Sequence, residues 1–122
     1  MTTAQKTLLI VDDDEASAYA FAQHLQSLGY STIAVEGSMA ALEKIEAQPI
    51  DLAIIDVMLQ KGEPHGIALA RMLRLRLRNL PILFVTAFPD IAEKEGRLAH
   101  PILVKPIDLD ELSRSVQQLL AG

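Results

Sequence analysis

Short apolar runs alternate with amphipathic stretches along nearly the whole chain. Residues 8–11 (LLIV) are continuously apolar and β-branched toward their end, the pattern of a strand covered on both faces. Over 15–28, Ala18, Phe21, Ala22, Leu25 and Leu28 recur at spacings of three and four, which predicts a helix with one buried face. Gly29 follows where a helix-ending glycine belongs. "YSTIAV" is a second predicted strand, "SMAALEKIEA" a second helix stopping before Pro49, and "LAIID" a third strand. A polar loop with Gly62, Pro64 and Gly66 then leads into a third helix, "IALARMLRLRLRN", whose Leu69, Met72, Leu73 and Leu77 supply a buried face. "PILFV" is a fourth strand, "PDIAEKEGRLA" a weak helix with an internal glycine, and "PILV" a fifth strand. Asp108 and Glu111 stand three apart before "LSRSVQQLLA", as an N-cap and its reciprocal partner do.

The pattern is five β–α units. Strict alternation with buried strands predicts an α/β fold, a doubly wound parallel sheet with helices on both faces. Ligands of such sheets bind beyond the carboxyl ends of the strands, so the residues just past each strand carry the chemistry. Strand one delivers Asp12 and Asp13, strand three Asp56, strand four Thr86 and strand five Lys105. Three carboxylates with no thiol or imidazole suit a hard cation, Mg²⁺ or Mn²⁺, held through oxygen. Such a cation also relieves the repulsion among the four consecutive acids Asp12, Asp13, Asp14 and Glu15. An aspartate beside it can attack a phosphoryl group, with a lysine and a hydroxyl holding the phosphoryl oxygens. Asp56, at a central strand end, is best placed to be that nucleophile.

Composition narrows the setting. At 122 residues the chain has the size of one domain with a sizeable core. It has no cysteine, hence no disulfide or thiolate chemistry, and a reducing cytoplasmic home fits. A net charge of −5 disfavours direct nucleic-acid contact, and no apolar run is long enough for a membrane span. His24, His65 and His100 are scattered without metal-ligand spacing and read as surface or packing residues.

The acidic pair in "LLIVDDDE", the "DLAIIDV" strand, the "FVTA" strand end and "LVKP" together resemble a two-component response-regulator receiver domain of the CheY-like kind, over the whole of residues 1–122. The resemblance implies a flavodoxin-like strand order 2-1-3-4-5. It implies that Asp13 ligates Mg²⁺ directly, Asp12 through water, and Met58 through its backbone carbonyl. Asp56 would be both a ligand and the phospho-acceptor. Thr86 and Lys105 would contact the phosphoryl group, with Lys105–Pro106 a cis peptide. Asp14 and Glu15 fall outside the metal set and belong to the helix start. The partner implied is a histidine kinase or phosphotransfer protein, and the domain would catalyse only its own phosphoryl transfer and loss, not turnover of a substrate. The family relationship leaves open whether the domain stands alone or belongs to a larger protein.

Three features depart from the common receiver pattern. The loop 59–66 is longer, with Gly66 ten residues after Asp56. The segment between Thr86 and Lys105 is short. Ile102 stands where many receivers carry a signalling Tyr or Phe. "PILFVTAF" is similar to a receiver subgroup with a Phe-x-Thr-Gly-Tyr-like motif that lacks that aromatic and partners HWE-type histidine kinases. In that reading Thr86 and residues 88–96 carry the conformational response. The main rival is a phosphorylation-independent pseudo-receiver acting as a protein–protein interaction module. A haloacid-dehalogenase-like phosphatase would also use Asp12-x-Asp14, but Ala16 stands where its motif wants Thr or Val. A flavin module would need a phosphate loop where this chain is acidic.

Overall fold

The computed structural model describes residues 5–59, 65–90 and 100–122. The strands are β1 (Thr7–Val11), β2 (Ser31–Val35), β3 (Leu52–Asp56), β4 (Ile82–Thr86) and β5 (Ile102–Val104). Among the described residues the helices are α1 (Glu15–Ser27), α2 (Ser38–Ala47), α3 (His65–Arg76) and α4 (Leu109–Ala121). All strand pairs are parallel and form one sheet in the order β2-β1-β3-β4-β5. This is the doubly wound sheet expected from the alternation. The weak helix expected over 89–99 lies mostly outside the described residues, as does most of the 59–66 loop.

Side chains of a strand alternate between faces, and here each face packs on its own helix pair. Leu9, Val11, Ala53, Ile55, Ile82 and Phe84 meet Ala41 of α2 and Ile67, Leu69, Ala70 and Leu73 of α3. Leu8, Ile10, Leu52, Ile54, Leu83 and Val85 meet Ala18, Phe21 and Leu25 of α1 and Leu112 and Val116 of α4. Burial on both sides is why β1, β3 and β4 read as unbroken apolar runs rather than alternating ones.

Local chemistry sets the ends. Gly29 has φ 100°, the left-handed conformation that closes α1 without steric cost. The Asp108 carboxylate accepts the backbone N–H groups of Asp110 and Glu111 and starts α4. Two expectations for α3 need correction. It begins at His65, so Gly66 belongs to the helix and not to the loop before it. Met72 is 40% exposed, because the buried stripe runs through Gly66, Ile67, Leu69, Ala70 and Leu73 and leaves residue 72 at its margin.

Candidate functional site

The carboxyl ends of the central strands bring the acids together. Asp12 follows β1 and Asp56 closes the adjacent β3, while Asp13 extends from the same turn as Asp12. One carboxylate oxygen from each of Asp12, Asp13 and Asp56 lies within 4.8 Å of the others. Asp12 is 1% exposed and Asp56 5%, whereas Asp13 is exposed. Two buried carboxylates this close require a positive partner.

Lys105 supplies one. From just past β5 its ammonium donates to Asp12 Oδ2 at 2.9 Å and to Asp56 Oδ2 at 3.1 Å. The second oxygen of each acid turns back on its own chain. Asp14 N–H donates to Asp12 Oδ1 and Met58 N–H donates to Asp56 Oδ1, both at 2.9 Å. The same device recurs at the end of β4, where Phe88 N–H donates to Thr86 Oγ1 at 2.9 Å. In each case a short polar side chain satisfies the N–H two residues on, the turn chemistry expected of Asp and Thr where a strand stops.

Charge follows from this packing. Burial pushes the Asp56 carboxyl up to about 6, and the Asp12 charge adds to it, while Met58 N–H and the Lys105 ammonium oppose the rise. Burial by itself would pull the Lys105 ammonium down, but the hydrogen bonds and charges of Asp12 and Asp56 outweigh it and the net shift is upward. The lysine therefore stays charged. The chemistry of the donor set fits a hard divalent cation: three convergent carboxylates, one of them open to solvent, with a backbone turn at Met58 alongside. Three carboxylates against one ammonium leave the site with an excess of negative charge for a cation to offset.

Asp14 does not join the group. It is the N-cap of α1, accepting Ala16 N–H at 3.2 Å and the Ser17 hydroxyl at 2.7 Å. The Ser17 bond is the leading cause of its lowered pKa. Glu15 sits in the first turn of α1, where its charge favours the helix. Replacing Asp13 by Ala is therefore expected to abolish Mg²⁺ binding. Asp14→Ala should loosen the start of α1 and leave Mg²⁺ affinity within about twofold. An Mg²⁺ titration of both variants checks the contrast.

Thr86 is fully buried, and its carbonyl accepts the Lys105 backbone N–H at 2.8 Å, so the two residues expected to hold a phosphoryl group are joined where β4 and β5 end. Lys105–Pro106 is cis, as the resemblance implied. Ile102 pairs with Phe84 and is partly buried against the same core. His24, His65 and His100 stand outside the acidic group; His100 packs edge-on against Phe84. Residues 91–96 of the expected response segment lie outside the described residues. Two contributions escaped the reading of the chain: the cap at Phe88 and the placement of Gly66. A polar side chain two residues before an unpaired N–H was the available signal for the first.

Residues 8–117 match the family described as response regulator receiver domain. The chain belongs to that family. Its curated relatives include the transcriptional regulatory protein ZraR of Escherichia coli strain K12, 30% identical over 99% of this chain and 28% of the relative. The alkaline phosphatase synthesis transcriptional regulatory protein PhoP of Bacillus subtilis is 32% identical over 94% of this chain and 48% of its own length. The receiver domain thus spans half or less of the curated relatives it matches. Among solved structures, a response regulator receiver protein from Sinorhizobium medicae superposes with TM-score 0.84 at 27% identity, covering 99% of this chain and 98% of that one. The response regulator TrrA of Thermotoga maritima, in complex with Mg²⁺-BeF, gives TM-score 0.83 at 27% identity over 94% of this receiver domain and 99% of TrrA. The receiver is the phosphoryl-accepting module of two-component signalling. Among its described residues, no helix is long and apolar enough to cross a membrane.

Proposed function

We propose that this receiver accepts a phosphoryl group on Asp56 from the phosphohistidine of a histidine kinase or phosphotransfer protein, in a Mg²⁺-dependent reaction. The observation that carries the proposal is the convergence of Asp12, Asp13 and Asp56 within 4.8 Å around an ammonium shared by Asp12 and Asp56. Asp12, Asp13, Asp56 and the Met58 carbonyl would hold Mg²⁺, or Mn²⁺ in its place. When bound, the cation supplies charge neutralisation at the phosphoryl oxygens.

The residues of the chain do the rest. An oxygen of the Asp56 carboxylate attacks phosphorus as the bond to the donor imidazole nitrogen breaks. The departing imidazole keeps that bond's electron pair and takes up a proton, and Asp56 becomes an acyl phosphate. Met58 N–H holds one Asp56 oxygen and so fixes the direction of attack. Lys105 can transfer its hydrogen bonds from the two acids to the phosphoryl oxygens, and Thr86 can turn its hydroxyl from Phe88 N–H toward them. The domain acts on itself and is not a turnover enzyme. That TrrA, a receiver of the same fold, forms a complex with Mg²⁺-BeF supports a metal and a phosphoryl-like ligand for this receiver too. A cytoplasmic setting, and no direct nucleic-acid contact by this domain, complete the reading.

Intact-mass measurement after Mg²⁺ and acetyl phosphate tests it. One phosphoryl adduct is expected, absent without Mg²⁺ and absent in Asp56→Asn. An adduct that survives the Asn replacement, or none from acetyl phosphate or a cognate kinase, overturns the assignment.

A further inference from the structure

At Gly66, α3 comes up against the backbone that carries the proposed acceptor. A Cβ built there would fall inside contact distance of the Asp56 carbonyl oxygen, 2.8 Å from Val57 Cα and 2.9 Å from the Asp56 carbonyl carbon. Real Cβ atoms do not approach backbone that closely, and backbone cannot swing aside as a side chain can. The contact is also a bond, since Gly66 N–H donates to the Val57 carbonyl at 3.1 Å. That N–H belongs to the first turn of α3, where helix geometry provides no internal acceptor.

The peptides after β3 are consequently held from several sides. Val57 N–H donates to the Val85 carbonyl at 2.9 Å, tying the segment to β4. Gly66 ties the Val57 carbonyl to α3. Met58 N–H, the next donor along, holds Asp56 Oδ1. Neighbouring Ile67, 3% exposed in the core, keeps the first turn of α3 pressed onto the strand.

We propose that Gly66 is a positioning residue for the acceptor site: its missing side chain lets α3 seat on the Asp56–Val57 peptide, and this seat sets where the Asp56 carboxylate and the Met58 carbonyl stand. The inference rests on the reading of Asp56 and Met58 as the site. A side chain at 66 must push the 56–58 backbone away from α3, so the effect reaches the acids through geometry and not through charge. Gly37 is the natural control, because a Cβ there meets nothing within 4 Å.

Gly66→Ala and Gly37→Ala are compared by amide NMR in EDTA and by Mg²⁺ titration. In Gly66→Ala the Asp56, Val57 and Met58 amide resonances shift without metal, and Mg²⁺ binds about tenfold or more weakly, the usual scale for loss of support behind a ligand. Gly37→Ala matches the parent in both readouts. A merely structural role would lower thermal stability and leave the Mg²⁺ affinity of the folded protein unchanged. Should Gly66→Ala fail to fold, the protein with the Gly66 amide replaced by an ester removes the N–H to Val57 and adds no atom. The same displaced resonances and weakened Mg²⁺ binding are expected of it. Unmoved Met58 resonances, or parental Mg²⁺ affinity, in the folded variant overturn the inference. Failure of the parent itself to bind Mg²⁺ would instead overturn the site reading.

Discussion

Lys105→Met is expected to destabilise the metal-free protein at pH 7 by up to about 3–5 kcal/mol, the scale of breaking a buried ion pair from one side. Its ammonium is the shared partner of Asp12 and Asp56, whose side chains are 1% and 7% exposed. Methionine keeps an apolar stem of similar length, so the loss reports charge and hydrogen bonding more than packing. Two consequences separate this from a generic core defect. Adding Asp56→Asn to Lys105→Met should recover much of the lost stability, since one carboxylate then needs no cation. Millimolar Mg²⁺ should also recover stability, because a cation in the acidic group replaces the missing charge. Urea unfolding of the single and double variants, with and without Mg²⁺, checks all of this; strictly additive effects of the two replacements would contradict the shared-cation picture.

Asp56→Asn alone is expected to stabilise the metal-free protein near neutral pH. The Asp56 carboxyl is pushed up to about 6 from an ordinary 3.8, chiefly by burial, so the folded state holds its proton more tightly than the unfolded chain does. The sign follows from that difference. Below about pH 4 both states are protonated and the contribution is fully present; as pH rises from about 4 through about 6 it is lost. A shift of this size corresponds to roughly 2–3 kcal/mol. Asparagine can still accept Met58 N–H through its amide oxygen and carries no charge to desolvate, so the variant should lack this pH slope. It should also lose the Mg²⁺-dependent rise in melting temperature. A parent whose stability in EDTA does not fall between pH 4 and pH 6 relative to Asp56→Asn would rule out this account.

Both expectations trace to residues that could be located by counting from strand ends. β1, β3 and β4 were legible because two-sided burial makes them unbroken apolar runs. The caps at Gly29 and Asp108 were legible because each residue type has a local reason to stop or start a helix, whereas the Asp14 cap of α1 showed only as a place at the helix start. Parallel β–α alternation then forces strand-end residues onto one edge, and Asp12, Asp13, Asp56 and Lys105 meet there.

What the chain could not show lies in distances between remote segments. Periodicity assigned Met72 to the buried face of α3, yet the direction of that stripe is set by how α3 crosses the sheet. Gly66 read as a loop glycine because glycine is poor in helices; its reason is the Asp56–Val57 peptide, invisible without coordinates. Nor could spacing reveal that one ammonium would bridge both buried acids.

The bridge joins Lys105 to partners 93 and 49 residues earlier. In the order of synthesis both acids therefore precede the lysine that neutralises them. β5 is an edge strand, so the pairing of β2, β1, β3 and β4 does not depend on it, yet Asp12 and Asp56 lack the Lys105 ammonium until the chain beyond β5 joins them. The balance of charge is completed only by the residue that follows β5, the last strand of this sheet in chain order. A divalent ion among the acids and the lysine beyond β5 would thus answer the same need, one from solution and one from a distant part of the domain's own chain.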